Sequence, residues 1–189
     1  MIKILLKSTI MLSILTTSLF SLEKEDIKPY MTKNIDNVIT ILRDKKITEE
    51  EKFDKIFILL DSVFDYKLMS KISLGRYYKK LKPDQKEKFT IAFEKKLKDS
   101  YVDKLKLYTN QITKVKDIKL VKKNRIIFYT DLVGDESVFS INYKFYKNKK
   151  NQWFIYDVQL LGVSILQTYK QQFKAFLKTN SISDLIKSM

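Results

Sequence analysis

The chain contains no cysteine and no histidine. The first absence rules out a disulfide framework, a thiol nucleophile and a thiolate metal site. The second removes the commonest general base and the commonest transition-metal ligand together. Any catalysis would have to rest on Asp, Glu, Lys, Tyr or Ser. Glycine occurs three times and proline twice, so there is no Gly-rich phosphate cradle and no linker rich in these residues. Arginine is confined to Arg43, Arg76 and Arg125. Proteins that read DNA sequence lean on bidentate arginine, so nucleic acid is not an expected partner. Alanine is nearly missing, with only Ala92 and Ala175. No repeat or low-complexity tract interrupts the chain, and no second long apolar run follows the N-terminal one.

That N-terminal run is the first thing present. Lys3 and Lys7 precede an apolar stretch from Ile10 to Phe20, and charge returns at Glu23-Lys24-Glu25-Asp26. This is the layout of a secretory signal peptide, residues 1–21, with cleavage expected after Ser21. The run is shorter than the roughly 20 apolar residues of a spanning helix. Residues 22–189 then form one expected domain, long enough for a real core. The formal net charge is +15, and loss of Lys3 and Lys7 leaves +13. In an exported protein such a balance favours membrane surfaces or other anionic partners; lysine as a plain solubilising residue is the alternative.

Periodicity predicts helices from Pro29 to Asp44, after Thr48, and from Tyr66 to Leu74, with Gly75 as a stop. Pro83 opens a longer one in which Phe89, Phe93, Leu97, Tyr101, Leu105 and Tyr108 form a single stripe, ending near Asn110. The period then changes. Residues 112–121, 125–133, 137–146 and 152–160 read as four strands of an antiparallel meander. Phe139, Ile141, Tyr143 and Phe145 alternate with Ser140, Asn142 and Lys144. Tyr156, Val158 and Leu160 alternate with Asp157 and Gln159, but Trp153 and Ile155 break the scheme and predict a bulge, or burial on both sides of the strand's start. After Gly162 a helical stripe returns through Ile165, Tyr169, Phe173, Phe176 and Leu177, and a last turn starts at Ser183 or Asp184. The expected fold is α+β: helices on one face of a curved, mainly antiparallel four-stranded sheet, with a C-terminal helix closing an apolar cavity.

Twelve Phe, eleven Tyr and one Trp crowd this pattern. Such bulky stripes either fill the interior or leave an apolar cavity where they cannot meet. The pattern alone leaves both open. The inward-facing set is Phe64, Leu68 and Ile72; Phe93, Leu97, Tyr101, Leu105 and Tyr108; Phe139, Ile141, Tyr143 and Phe145; Tyr156, Val158 and Leu160; and Val163, Tyr169 and Phe173. Tyr101, Leu105 and Tyr108 are expected to face Phe139, Ile141 and Tyr143 across a gap.

Two segments carry a resemblance. The first holds Phe64-Asp65, Leu74-Gly75-Arg76, Pro83, Gln85, Phe89, Phe93 and Tyr101. The second holds Trp153, Tyr156-Asp157-Val158, Gly162-Val163-Ser164, Tyr169 and Phe173. In order and spacing they resemble the MlaC, or toluene-tolerance, family of periplasmic phospholipid-binding proteins. One departure is Leu161, where the family usually has an acidic residue before Gly-Val-Ser. The resemblance implies that the inward-facing set lines a lipid cavity and that Arg76, inside a matching motif, lies near the headgroup. It implies a monomeric periplasmic carrier with phospholipid as cargo and no cofactor, metal or catalytic residue. Implied partners are an outer-membrane lipoprotein–porin complex and an inner-membrane ABC transporter with its lipid-binding ring protein. Two other readings stand beside it. A small enzyme could use Asp65, Asp131 or Asp157, buried among aromatics, as an acid or base. In the bland version these are caps or ion pairs, with Arg76 as a partner for Asp65 or Asp157. A ligand-free basic adaptor is the third.

Overall fold

A computed structural model describes residues 22–106, 110–135 and 137–189. The expected signal peptide and Tyr108 lie outside the described residues. Helices α1 (Ile27–Arg43), α2 (Glu49–Asp61), α3 (Tyr66–Leu74) and α4 (Pro83–Leu105) precede the sheet; α5 (Ile165–Phe176) and α6 (Ile182–Lys187) follow it. The strands are β1 (Ile112–Lys122), β2 (Arg125–Val133), β3 (Val138–Lys147), β4 (Trp153–Leu160) and the short β5 (Val163–Ser164). The architecture is α+β, and the sheet is an antiparallel meander in the order β1-β2-β3-β4-β5. β5 is one strand more than periodicity could show, because two residues are too few to express a period. A 3₁₀ segment over Gly75–Lys80 also lies between α3 and α4, where the sequence indicated only a stop.

Local chemistry sets the helix ends. Thr48 and Glu51 form a capping box, with the Glu51 N–H donating to Thr48 Oγ1 at 3.2 Å and the Thr48 N–H to Glu51 Oε2 at 2.7 Å. Asp65 Oδ1 accepts from the Leu68 N–H at 2.8 Å and starts α3. Gly75, at φ +59°, ends it.

Cross-strand register defines the inner face of the sheet. Ile126, Phe128, Thr130 and Leu132 of β2 sit opposite Phe145, Tyr143, Ile141 and Phe139 of β3. Tyr143 in turn pairs with Val158 and Ile141 with Leu160. The expected bulge is present: Lys144 pairs with Asp157 and Phe145 with Ile155, leaving Tyr156 as the extra residue. Tyr156 therefore does not share a face with Val158, contrary to the expectation from alternation. It lies on the outer face beside Tyr146, Phe154 and Arg125.

The helices cover the inner face. Phe89, Phe93, Phe128, Phe145 and Trp153 are fully buried, each contributing about 2 kcal/mol of burial free energy. Phe89 and Phe93 meet Phe173 edge-on at ring centroid distances of 5.8 and 6.3 Å, which ties α4 to α5. The free edge of β4 is also covered. The Trp153 N–H donates to the Leu22 carbonyl, the Ile155 N–H to Val63 and the Asp65 N–H to Ile155, at 2.8–3.0 Å, and β5 takes the remainder.

Candidate functional site

Where α4, the end of β4, β5 and the start of α5 converge, a cavity of about 590 Å³ opens. α4 contributes Lys96, Leu97, Ser100 and Tyr101, and the sheet contributes Leu160 and Val163. α5 contributes Ile165, Thr168, Tyr169 and Gln172, which share one helical face at spacings of three and four. Leu97, Tyr101, Leu160, Val163, Ile165 and Tyr169 make an apolar and aromatic wall, with Lys96, Ser100, Thr168 and Gln172 as its polar members. A hydrogen bond between Ser100 Oγ and Tyr169 Oη, at 2.7 Å, joins the two helices. A shallower depression of about 530 Å³ runs along α1 past Lys28, Pro29, Thr32, Lys33, Asp36 and Asn37. It has no large apolar side chain and sits on the solvent face of one helix.

The Tyr101 hydroxyl is buried and has no hydrogen-bond partner among the described residues. Burial, with Tyr143, Asp157 and Tyr169 nearby, pushes its pKa well above the usual phenol value. Burial also raises Tyr143, to about 12. Both phenols therefore keep their protons near neutrality. What the site can do is exclude water from an apolar guest while offering polar groups around it.

Leu97, Tyr101, Leu160, Val163 and Tyr169, expected from sequence, line the cavity together. Phe64, Phe93, Phe145, Val158 and Phe173 are 0–9% exposed and belong to the packed core. Ile72, Ile141 and Tyr143 are half-buried against that core. Leu68 and Leu105 are half-buried as well. Phe139 is 41% exposed near one end of the sheet. The expected gap between the α4 stripe and β3 is displaced: no β3 residue lines the open volume, which lies against β4, β5 and α5. Arg76 lines no part of it; the guanidinium lies over the neighbouring Tyr77 ring, 5.2 Å from its centroid. Lys96, Ser100, Ile165, Thr168 and Gln172 were missed. The polar residues hide the cavity face of α5 from an apolar-stripe search, and only the i, i+3, i+4, i+7 spacing could have revealed it.

The three aspartates are committed to structure. Asp65 caps α3 and accepts a hydrogen bond from the Tyr146 hydroxyl. Asp131 pairs with Lys116 at 3.1 Å. Asp157 accepts from Lys144 Nζ at 3.0 Å, Ser164 Oγ at 2.8 Å and the Leu166 N–H at 3.3 Å. Arg76 partners none of them.

Known proteins share this frame. A phospholipid-binding protein from Ralstonia solanacearum, solved in complex with a phospholipid, superposes with a TM-score of 0.71 at 22% identity, over 84% of this chain and 92% of its own. That likeness establishes the fold. The intermembrane phospholipid transport system binding protein MlaC of Haemophilus influenzae is 30% identical over 120 residues, 61% of this chain and 56% of that protein. The alignment therefore spans a little over half of the relative's length. The family model described as MlaC protein matches residues 32–189. That span takes in both segments on which the resemblance was read and every element around the cavity, and the chain belongs to the MlaC family.

Proposed function

We propose that this protein is a periplasmic phospholipid carrier, exported by a signal peptide removed after Ser21, with acyl chains held in the cavity between α4, β4–β5 and α5. The observation that carries the reading is the cavity itself. Its volume of about 590 Å³ falls within the ~300–1,000 Å³ of small-molecule sites. Its wall is apolar, and the acidic groups nearest to it are held in caps and ion pairs rather than aimed at a substrate. Membership of the MlaC family and the phospholipid-binding names of the relatives support it.

The energetics define what such a carrier needs. Transfer of acyl chains out of water is worth about 0.8 kcal/mol per methylene, but a lipid in a bilayer already has that stabilisation. The cavity can only match the membrane, so loading and release depend on docking partners and no catalytic residue is needed. The partners proposed are an outer-membrane lipoprotein–porin complex and an inner-membrane ABC transporter with its lipid-binding ring protein. Recognition rests on the tails. Lys96, Ser100, Thr168 and Gln172 meet the polar region of the lipid without selecting one headgroup.

Native mass spectrometry and solvent extraction of the purified protein test this. A co-purified diacyl phospholipid is expected. Leu160→Lys should remain folded by circular dichroism and come out empty, because the lysine can sit in a water-filled cavity but must be desolvated when tails enter. A wild-type protein that is always empty, or that turns over a soluble substrate, would overturn the reading.

A further inference from the structure

The end of the sheet remote from the cavity carries an exposed mixture of lysine and aliphatic side chains. The end of β1 holds Leu120, Val121 and Lys122, the β1–β2 turn Lys123 and Asn124, and the β3–β4 turn Asn148, Lys149, Lys150 and Asn151. The two turns are neighbours, since Arg125 pairs with Tyr146 and the Lys147 N–H donates to the Asn124 carbonyl at 3.2 Å. Leu120 and Val121 are 52% and 48% exposed. Lys122, Lys123, Lys149 and Lys150 are exposed, and no acidic residue stands between Ile118 and Thr130 or between Ser137 and Tyr156. Acidic groups do approach from the flanks. Asp117 takes Lys119 at 3.2 Å, and Glu23, Glu25 and Asp26 follow Leu22, which is bonded to Trp153 on the β4 side. They leave the two tips themselves cationic.

We propose that these paired hairpin tips are a docking face for an anionic phospholipid bilayer. Lysines near an anionic membrane attract it within a Debye length, and aliphatic side chains beside them can enter the headgroup boundary. A purely electrostatic site for an acidic protein would not call for two half-exposed aliphatic residues at its tip. The cavity lies at the other end. From the Tyr146 pairing to the Ile141–Leu160 pairing is about 17 Å of strand at ~3.3 Å per residue. A molecule resting on its tips therefore keeps the cavity turned away from that membrane and free for a second encounter. The inference is independent of the carrier reading, because surface docking needs no cargo.

Co-sedimentation of the purified protein tests it, with vesicles of phosphatidylglycerol in phosphatidylcholine against vesicles of phosphatidylcholine alone. Wild type should bind the anionic vesicles and be released by salt. The tip variant K122Q/K123Q/K149Q/K150Q should bind at least about tenfold more weakly. A control with the same charge change on exposed helical and 3₁₀ lysines, K67Q/K71Q/K79Q/K80Q, should change less than about threefold. The variant L120S/V121S should weaken binding by a few-fold at low salt. Circular dichroism verifies that each variant is folded, and extracted lipid should be unchanged in the tip variant, which separates docking from cargo retention. The proposal is overturned if wild type ignores anionic vesicles, or if tip and control variants lose binding equally. It is also overturned if polyglutamate binds the tips while vesicles do not, which would make this a site for an acidic protein.

Discussion

Leu161 and Gly162 turn β4 into β5 with φ of +51° and +80°. Glycine is at ease there; a branched aliphatic residue is not, since left-handed backbone costs about 1–2 kcal/mol for an ordinary L-residue. The Leu161 side chain, 61% exposed, gains little packing in return. Leu161→Asn creates the Asn-Gly pair that two-residue hairpins favour, and should stabilise the fold by about 1 kcal/mol in urea denaturation; an unchanged or lower midpoint would contradict the strain argument. Tyr101 and Tyr143 add a pH dependence. Both are raised above the ordinary value of 10, Tyr143 to about 12, so the folded state keeps a proton that the unfolded chain releases first. The Tyr143 contribution to stability is complete below pH 10 and falls as pH rises from 10 through about 12, and Tyr101 acts in the same direction. Melts of wild type and Tyr143→Phe from pH 8 to 11.5 should run parallel to about pH 10 and then diverge, with wild type falling faster. Parallel curves throughout would show that Tyr143 is not desolvated.

Asp157 shows how elements are tied together by one side chain. Its carboxylate is 6% exposed and takes Lys144 of β3, Ser164 of β5 and the backbone of Leu166 in α5. Asp157→Ala leaves Lys144, 20% exposed, without its partner and frees the first turn of α5. A loss of about 3–5 kcal/mol is expected from chemical denaturation, whereas a catalytic role would predict lost turnover on a folded protein. The same elements explain what the sequence disclosed. α3 was readable because Asp65 and Gly75 mark its ends by local chemistry, and β3 because four inward aromatic or aliphatic residues alternate without interruption. β4 was only half readable: Trp153 and Ile155 announced a bulge, but its position, which sends Tyr156 outward, depends on pairing with Phe145 and Lys144. The α4 stripe was found, yet Phe93 proved to pack on Tyr169 and Phe173 rather than line the cavity. A periodic stripe tells which side faces inward. Whether that side meets another ring or a void is decided by partners 76 and 80 residues away, which no local pattern encodes.

At the scale of the whole molecule the two ends of the sheet differ in chemistry. One end carries the lysine-rich hairpin tips; near the other, the cavity opens between α4 and α5, and Val138, Phe139, Leu161 and Val163 are exposed around the ends of β3–β5. Among the described residues no helix is long and apolar enough to cross a membrane. A guest that binds only the folded state stabilises it by mass action, about 2.7 kcal/mol at ~100 times its Kd. At ~2–4 °C per kcal/mol for a chain of this size, removing bound lipid by gentle solvent or detergent exchange should lower Tm by about 5–10 °C. Adding phosphatidylglycerol micelles back should restore it. Leu160→Lys, which places a charge in the cavity wall, should melt at the same temperature before and after extraction, near that of delipidated wild type. Wild-type melts that do not respond to extraction would mean that the space between α4 and α5 holds no acyl chain, whatever lipid is recovered with the protein.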